Sequence, residues 1–504
     1  MKKVKNEYIS LYAVTFILSV IPALFYTAPA FEDGLGTMGT AAYLTGHDWS
    51  VFLAADGYYY KYGQALWYIL PFALIDNAVI RYKVMLAVNS MLTSLIPLIV
   101  YRISCKYIRM EQKRAYLTAL IVGWMPSILL YNKYTWAETN LMVLPWVILL
   151  LQCKLCFDRE CCTFRKCFYS ALLALAAVYT FMSHQRGLVV VLAATITTFI
   201  LWRLRKNCIS MTAYLAGLTA GLFSDRMLCA WQKAQVYAGA VMEHNTLADF
   251  LKPELYHKLL SWQGVLTLIK TGFGWLYHSV CSTFGLAFIG IVFMVLLVVR
   301  VFRRRTLDCA VEIVALQGIL SFLGAFALGL LFFFESMYHY FDGTEVVRCD
   351  HLLFGRYLES TLPILLYMGL IYLINYQQGK MIQWLSAAVH AGLVGFTAVF
   401  LLPRMQGVDC YVHSLAALNL FMDTSGITKT QEIIPNYSLA LFAFGIFSLV
   451  IGVLIGIARR RNIRAAFLVI ALVFLWIYIW NCYSVIGRID GAQATVYAQY
   501  YLSW

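Results

Sequence analysis

Apolar runs of about 20 residues recur from one end of the chain to the other, separated by polar stretches of very unequal length. A helix rises about 1.5 Å per residue, so each run is long enough to cross the hydrocarbon core of a bilayer. The pattern predicts thirteen spans, over residues 8–27, 82–104, 113–131, 135–153, 168–183, 187–203, 208–224, 280–300, 311–334, 359–375, 382–402, 438–458 and 465–484. One further apolar stretch, QALWYILPFALIDN at 64–77, is too short to span and is expected to be interfacial or re-entrant.

Composition agrees with the pattern. Of 504 residues, 62% are hydrophobic and only 13% charged, which leaves too little charged surface for a soluble protein of this length. Mean hydropathy is +0.72. No small-residue cleavage site follows the first run, so that run is expected to remain as a span. With the N-terminus inside, 24 of the 39 Lys and Arg fall in short inner segments such as RVFRRR and ARRRNIR, as the positive-inside rule requires. The net charge of +14 therefore reflects orientation and contact with anionic lipid, not nucleic acid. The cysteine-rich CKLCFDRECC at 153–162 has no histidine nearby and no second well-spaced pair, so juxtamembrane thiols are a better reading than zinc. Cys349 and Cys410 are candidates for an outer disulfide.

The long polar segments all fall on the outer side in this topology: 28–81, 225–279, 335–358, 403–437 and 485–504. The segment 247–279 has helical apolar spacing interleaved with Lys252, Lys258 and Lys270, which suits a helix lying in the interface. Ionisable groups near spans are costly and mark function by default. At the outer level these are Glu32 and Asp33 after the first span, Glu138 in WAETNLMVLPW, His184 and Arg186 in SHQRGL, and Arg356 and Glu359 in FGRYLESTLP. Taken singly, Arg186 reads as well as a snorkelling anchor, and Glu138 as a group paired within the bundle. Taken together they come from four places in sequence at one membrane level, and bundling brings such positions into one cavity. The aromatic GYYYKYG is by itself equally well explained as an interfacial belt.

The order of these features resembles membrane glycosyltransferases of the C-type fold, the group of protein O-mannosyltransferases and lipid A aminoarabinose transferases. The resemblance rests on FEDGLGTMGTAAYLTG, YKYGQALWYILPF, RYKVMLAVNSMLTSLIPLIVYRIS, WAETNLMVL, HQRGLVVVLA and GRYLESTLPILL. It covers roughly residues 8–375 as a transmembrane core. Residues 376–504 match only as additional spans with a short outer tail.

The resemblance implies an all-α polytopic protein and an inverting transfer from a polyprenyl-phosphate-linked sugar to an extracytoplasmic glycan, lipid or protein acceptor. It also implies a carboxylate base in the first outer loop. Family members carry Asp-Glu there, whereas this chain has Glu32-Asp33-Gly34. Aligning on Gly36-Thr37 selects Asp33, while an alignment without that anchor begins at Glu32. Arg186, Arg356, Lys61, His184 and Tyr357 are the expected donor-phosphate contacts; Glu138, Tyr62 and Asp48 are expected to hold substrate. The glycines at 34, 36 and 39 suggest a tight turn out of the first span. No cofactor is assigned and no metal ligands are named, with a divalent cation left open. Two other classes remain in view. A lipid-linked polysaccharide polymerase or ligase would depend on His351 in CDHLLFGRYLES. A transporter or flippase would show inverted repeats, and none is evident.

Overall fold

The structure, a computed structural model, describes residues 2–56, 58–158, 162–205, 208–241, 250, 252–345, 348–375, 380–415, 417–429, 431–490 and 495–504. Residues 159–161 of the cysteine-rich stretch, 242–249 and 251 of the 225–279 segment, and 491–494 of the tail lie outside the described residues. The chain is a multi-pass membrane protein built almost wholly of helix. Its sheet among the described residues is one antiparallel pair, Cys410–Tyr411 with Gln431–Glu432, in register Cys410 to Glu432.

Ten helices among the described residues are long and apolar enough to cross a membrane, from Asn6–Ala23 to Ile463–Ser484. The three other predicted spans are also helical, but built differently. The stretch 113–131 is divided into Gln112–Gly123 and Pro126–Tyr131. Pro126 lacks a backbone N–H and disfavours helical backbone at the residue before it, so Met125 is extended. The helix Met211–Gln235 runs past the predicted end at 224 and carries Asp225, Arg226 and Lys233. The helix Leu362–Asn375 has only 14 residues, about 21 Å at helical rise, and is buried almost throughout.

The described residues of the segment 28–81 form a cap. It contains Glu32–Leu44, Ser50–Asp56, the 3₁₀ turn Ala65–Tyr68 and Ile69–Leu74. The cap has its own small core of Leu35, Met38, Trp49, Leu53, Tyr68 and Tyr82, closed by Val236, Tyr237 and Tyr501 from distant segments. The expected glycine turn is absent: Gly34, Gly36 and Gly39 lie inside the helix Glu32–Leu44 and are buried. Glu32 and Asp33 occupy its first turn, where the helix dipole favours negative charge. Gly36 serves packing, since a Cβ there would come within 1.9 Å of the Tyr60 ring.

The 247–279 stretch forms Pro253–Leu260 and Trp262–Cys281. Leu260 and Trp262 are exposed at the junction, but from Gly274 onward the second helix is largely buried. Trp275 donates its Nε1–H to the His351 carbonyl at 2.9 Å. Cys349 and Cys410 are both buried and both free thiols.

Candidate functional site

A cavity of about 440 Å³ opens where the cap meets the helix ends of the bundle. Its lining includes Glu32, Asp33, Lys61, Glu138, His184, Arg186, Arg356 and Tyr357, eight of the ten residues given a catalytic or binding role from the sequence; Glu359 lies outside it, paired with His278. Five separate elements deliver them: the first turn of Glu32–Leu44, the connection 58–63 that carries Lys61, the start of Glu138–Phe157, the tight connection 184–186, and the turn at 355–361.

Glu138 is the hub. It is 3% exposed, and its Oε1 accepts from Arg186 Nη2 at 2.6 Å and from Arg356 Nε at 2.6 Å. Its Oε2 is buried with no hydrogen-bond partner among the described residues. Arg356 extends the chain of charges, reaching Asp33 Oδ2 through Nη2 at 2.9 Å. Burial opposes the Arg356 charge, but Glu138 and Asp33 overcome it and hold the guanidinium firmly protonated. Arg186 also donates to the Arg356 carbonyl at 3.2 Å, which ties the two turns together. Each guanidinium lies over a ring, Arg356 over Trp136 at 4.1 Å and Arg186 over Tyr357 at 4.6 Å.

His184 orients Arg186. Its Nδ1 accepts from the Arg186 backbone N–H at 3.1 Å. Burial, then the neighbouring Arg186, pushes the imidazole well below its usual range, so it is neutral.

Asp33 is fixed from three sides. The Tyr60 hydroxyl donates to Oδ1 at 2.8 Å, and Arg356 takes Oδ2. Thr37 Oγ1 lies 2.7 Å from the Asp33 carbonyl and 2.8 Å from the Thr135 carbonyl, which pins this turn to the loop before Glu138. Glu32, its neighbour, points elsewhere: its Oε2 lies 3.0 Å from the Tyr497 hydroxyl, and the same hydroxyl is 3.3 Å from Asp56 Oδ1. Burial and the Asp33 and Asp56 charges lift the Glu32 carboxyl to about 7. The adjacent acids thus have different environments, one gripped by a cation and the other crowded by carboxylates.

Lys61 is matched one to one. Its Nζ meets Asp225 Oδ2 at 2.8 Å and lies 3.5 Å from the centre of the Phe181 ring. Tyr62 stands behind this pair and outside the cavity lining, donating to Asp225 Oδ1 at 3.2 Å. Asp48 is also outside the lining; its Oδ1 accepts from the Ser50 backbone N–H at 2.9 Å, beginning the helix Ser50–Asp56. Among the described residues no group of three or more His, Cys, Asp and Glu is placed to hold a metal ion.

Tyr60, Trp136, Asp225, Asp56 and Tyr497 were not singled out from the sequence. A charge inside an apolar helical stretch was the available signal for Asp225. Ending the predicted span at 224 placed it in a loop instead. Nothing in the pattern marks Tyr497.

No protein-family model matches the chain, and no curated protein matches it. Solved structures do. The chain is similar to the crystal structure of ArnT from Cupriavidus metallidurans in the apo state, at 12% identity and a TM-score of 0.50, over 97% of this chain and 78% of that one. The same protein bound to undecaprenyl phosphate aligns at 12% identity and a TM-score of 0.48, over 96% and 77%. The likeness to the apo structure establishes the architecture: this chain has the C-type glycosyltransferase fold.

Proposed function

We propose, from this fold and the cavity within it, that the protein is a membrane glycosyltransferase that moves a sugar from a polyprenyl-phosphate donor to an acceptor hydroxyl. One observation carries the reading: a carboxylate and two arginines that share a single second carboxylate open onto one cavity at the helix ends. Undecaprenyl phosphate is bound by the structural neighbour, which supports the same class of donor here.

In this reading Asp33 is the general base. A sugar hydroxyl is a poor nucleophile, and a positioned carboxylate that takes its proton contributes about 10²- to 10⁴-fold. The acceptor oxygen bonds to the anomeric carbon as its proton passes to Asp33. The bond from that carbon to the phosphate oxygen breaks, and polyprenyl phosphate leaves with the electron pair, inverting the centre. Arg356 and Arg186 meet the charge that develops on the leaving phosphate, and their planar forks suit its oxygens. Arg356 serves both anions, so an arriving phosphate that draws on its charge loosens its hold on Asp33. Glu138 keeps the two guanidiniums together before the donor arrives. The cavity faces the extracytoplasmic side, where the acceptor is a cell-surface glycan, lipid or protein. His351, on which a ligase reading would depend, lies outside the cavity lining.

The test is transfer of labelled sugar from a polyprenyl-phosphate donor by the purified protein, together with a reporter-fusion map. Transfer lost in Arg356→Ala and retained in Arg303→Ala, an exposed residue of the inner basic cluster, is the expected outcome. A map that puts residues 28–56 in the cytoplasm would rule the reading out.

A further inference from the structure

The helix Val496–Leu502 is clasped to the cap. Tyr500 stacks on Phe52 with ring centres 4.0 Å apart and planes 15° from parallel. The Tyr501 hydroxyl donates to the Ala78 carbonyl at 3.0 Å and lies 3.3 Å from Arg81 Nε. Tyr497 is thereby held with its hydroxyl between Glu32 and Asp56, at 3.0 and 3.3 Å.

A phenol hydroxyl carries one proton. It can donate to one of two carboxylates, and the other contact is then attractive only if that carboxyl brings a proton of its own. The two distances therefore fit a triad holding one proton beyond that of the phenol. Glu32 is its natural resting place. It is the more buried acid, it adjoins Asp33, and the groups facing it are Asp33 on its own helix, Asp56 on the next and Tyr497 on the clasp. Asp56, at the other end, is partly open to solvent.

We propose that Glu32, Tyr497 and Asp56 form a proton exit leading from the cavity beside Asp33 to solvent. The proposal rests on the transferase reading for the source of the proton. The proton taken by Asp33 has to leave before the next turnover. Glu32 first gives its resting proton to the Tyr497 oxygen as the phenol releases its own proton to Asp56, and Asp56 releases a proton to water. The proton on Asp33 then crosses the cavity that both carboxyls line and reloads the emptied Glu32. Each group ends as it began. Tyr497 is a positioning residue: as a donor it favours the ionised form of Glu32 and so keeps a crowded carboxyl exchangeable near neutral pH.

The experiment follows the protonated-carboxyl C=O stretch of the purified full-length protein by infrared spectroscopy across neutral pH, with the pH dependence of sugar transfer measured in parallel. A carboxyl band titrating near pH 7 is expected in the wild type and is absent in Glu32→Gln. Tyr497→Phe moves the midpoint to higher pH by about one unit. On the acid limb kcat then falls about tenfold with KM unchanged, because each unit of displacement is a tenfold loss of the ionised form. Tyr500→Phe, which removes a hydroxyl from the same helix but keeps the stacked ring, moves neither. A band that survives Glu32→Gln, or no carboxyl titrating near neutrality, overturns the shared proton. A band that behaves as stated while the Tyr497→Phe rate profile matches wild type overturns the exit. A wild-type protein that shows the band but transfers no sugar overturns the reaction, and the exit with it, while leaving the shared proton in place.

Discussion

Arg356 and Arg186 share Glu138, whereas Lys61 is the one cation paired with Asp225 among the described residues. Both clusters border the same cavity and both are largely buried, so composition alone does not separate them. Their wiring does. In the first, two guanidiniums converge on one oxygen of one carboxylate, and Asp33 completes the balance from the far side of Arg356. An incoming anion can replace part of that balance without stranding a charge. In the second, Lys61 is matched by a dedicated partner, and an aromatic ring covers its ammonium. An anion arriving there has to displace a buried carboxylate. A cation's usefulness at a site depends on how its charge is already committed, as well as on its position.

The largest effect expected on this comparison is at Asp33. Asp33→Asn keeps size and hydrogen bonding but cannot take a proton, so sugar transfer by normally inserted protein should fall about 10²- to 10⁴-fold. Glu32→Gln should lose much less. Near-normal transfer by Asp33→Asn with an inactive Glu32→Gln would move the base by one residue.

Next is the shared cluster. Arg356→Ala removes a preorganised cation from the developing charge, and transfer should drop roughly 10²-fold. Full activity in both Arg356→Ala and Arg186→Ala would make these arginines anchors only.

The matched pair should behave in the opposite way, through stability. Lys61→Met leaves Asp225 buried and uncompensated, at about 3–5 kcal/mol, and Asp225→Asn should likewise destabilise. The double variant Lys61→Met/Asp225→Asn should recover most of that loss in thermal unfolding, and retain transfer. If the double variant is stable but inactive, Lys61 contacts the donor phosphate after all, and the contrast between the clusters disappears.

The smallest effect is in the pH dependence of stability. Glu32 titrates higher in the folded protein, at about 7, than in an unfolded chain, so the folded state binds its proton more tightly. That contribution is complete below about pH 4.5 and lost as pH rises through about 7. Thermal unfolding followed over this window should decline in the wild type, and the decline should be smaller in Glu32→Gln.

Much of the architecture was legible because lipid leaves so few options. Ten of the predicted spans are long apolar helices, and the other three positions are helical too. Their differences have local causes: Pro126 interrupts one, Asp225 lies within another, and the third is short and enclosed by protein rather than lipid. The cavity was legible for a related reason. Charges at membrane depth need partners, so Asp33, Glu138, Arg186 and Arg356 could be expected together before their contacts were known. The commitments of those charges were not legible. Nothing along the chain says that Lys61 meets Asp225, 164 residues away, or that Tyr497 reaches Glu32, 465 residues away. The glycines of the first outer segment were read as a turn because glycine favours turns. They lie in a helix, where Gly36 gives the Tyr60 ring room beside it.

The Glu138 hub also bears on how the bundle is assembled. During insertion, the helix that begins at Glu138 arrives with a bare carboxylate, and the segments bearing Arg186 and Arg356 arrive with bare guanidiniums. Each is a poor fit to lipid until the others are beside it. The pairing therefore rewards one arrangement of three segments far apart in the chain and penalises every arrangement that separates them. A wrongly oriented or misordered segment would leave an ionised group stranded in hydrocarbon, at a cost the correct arrangement avoids. The charged residues that line the cavity thus also favour the one arrangement of helices that pairs them.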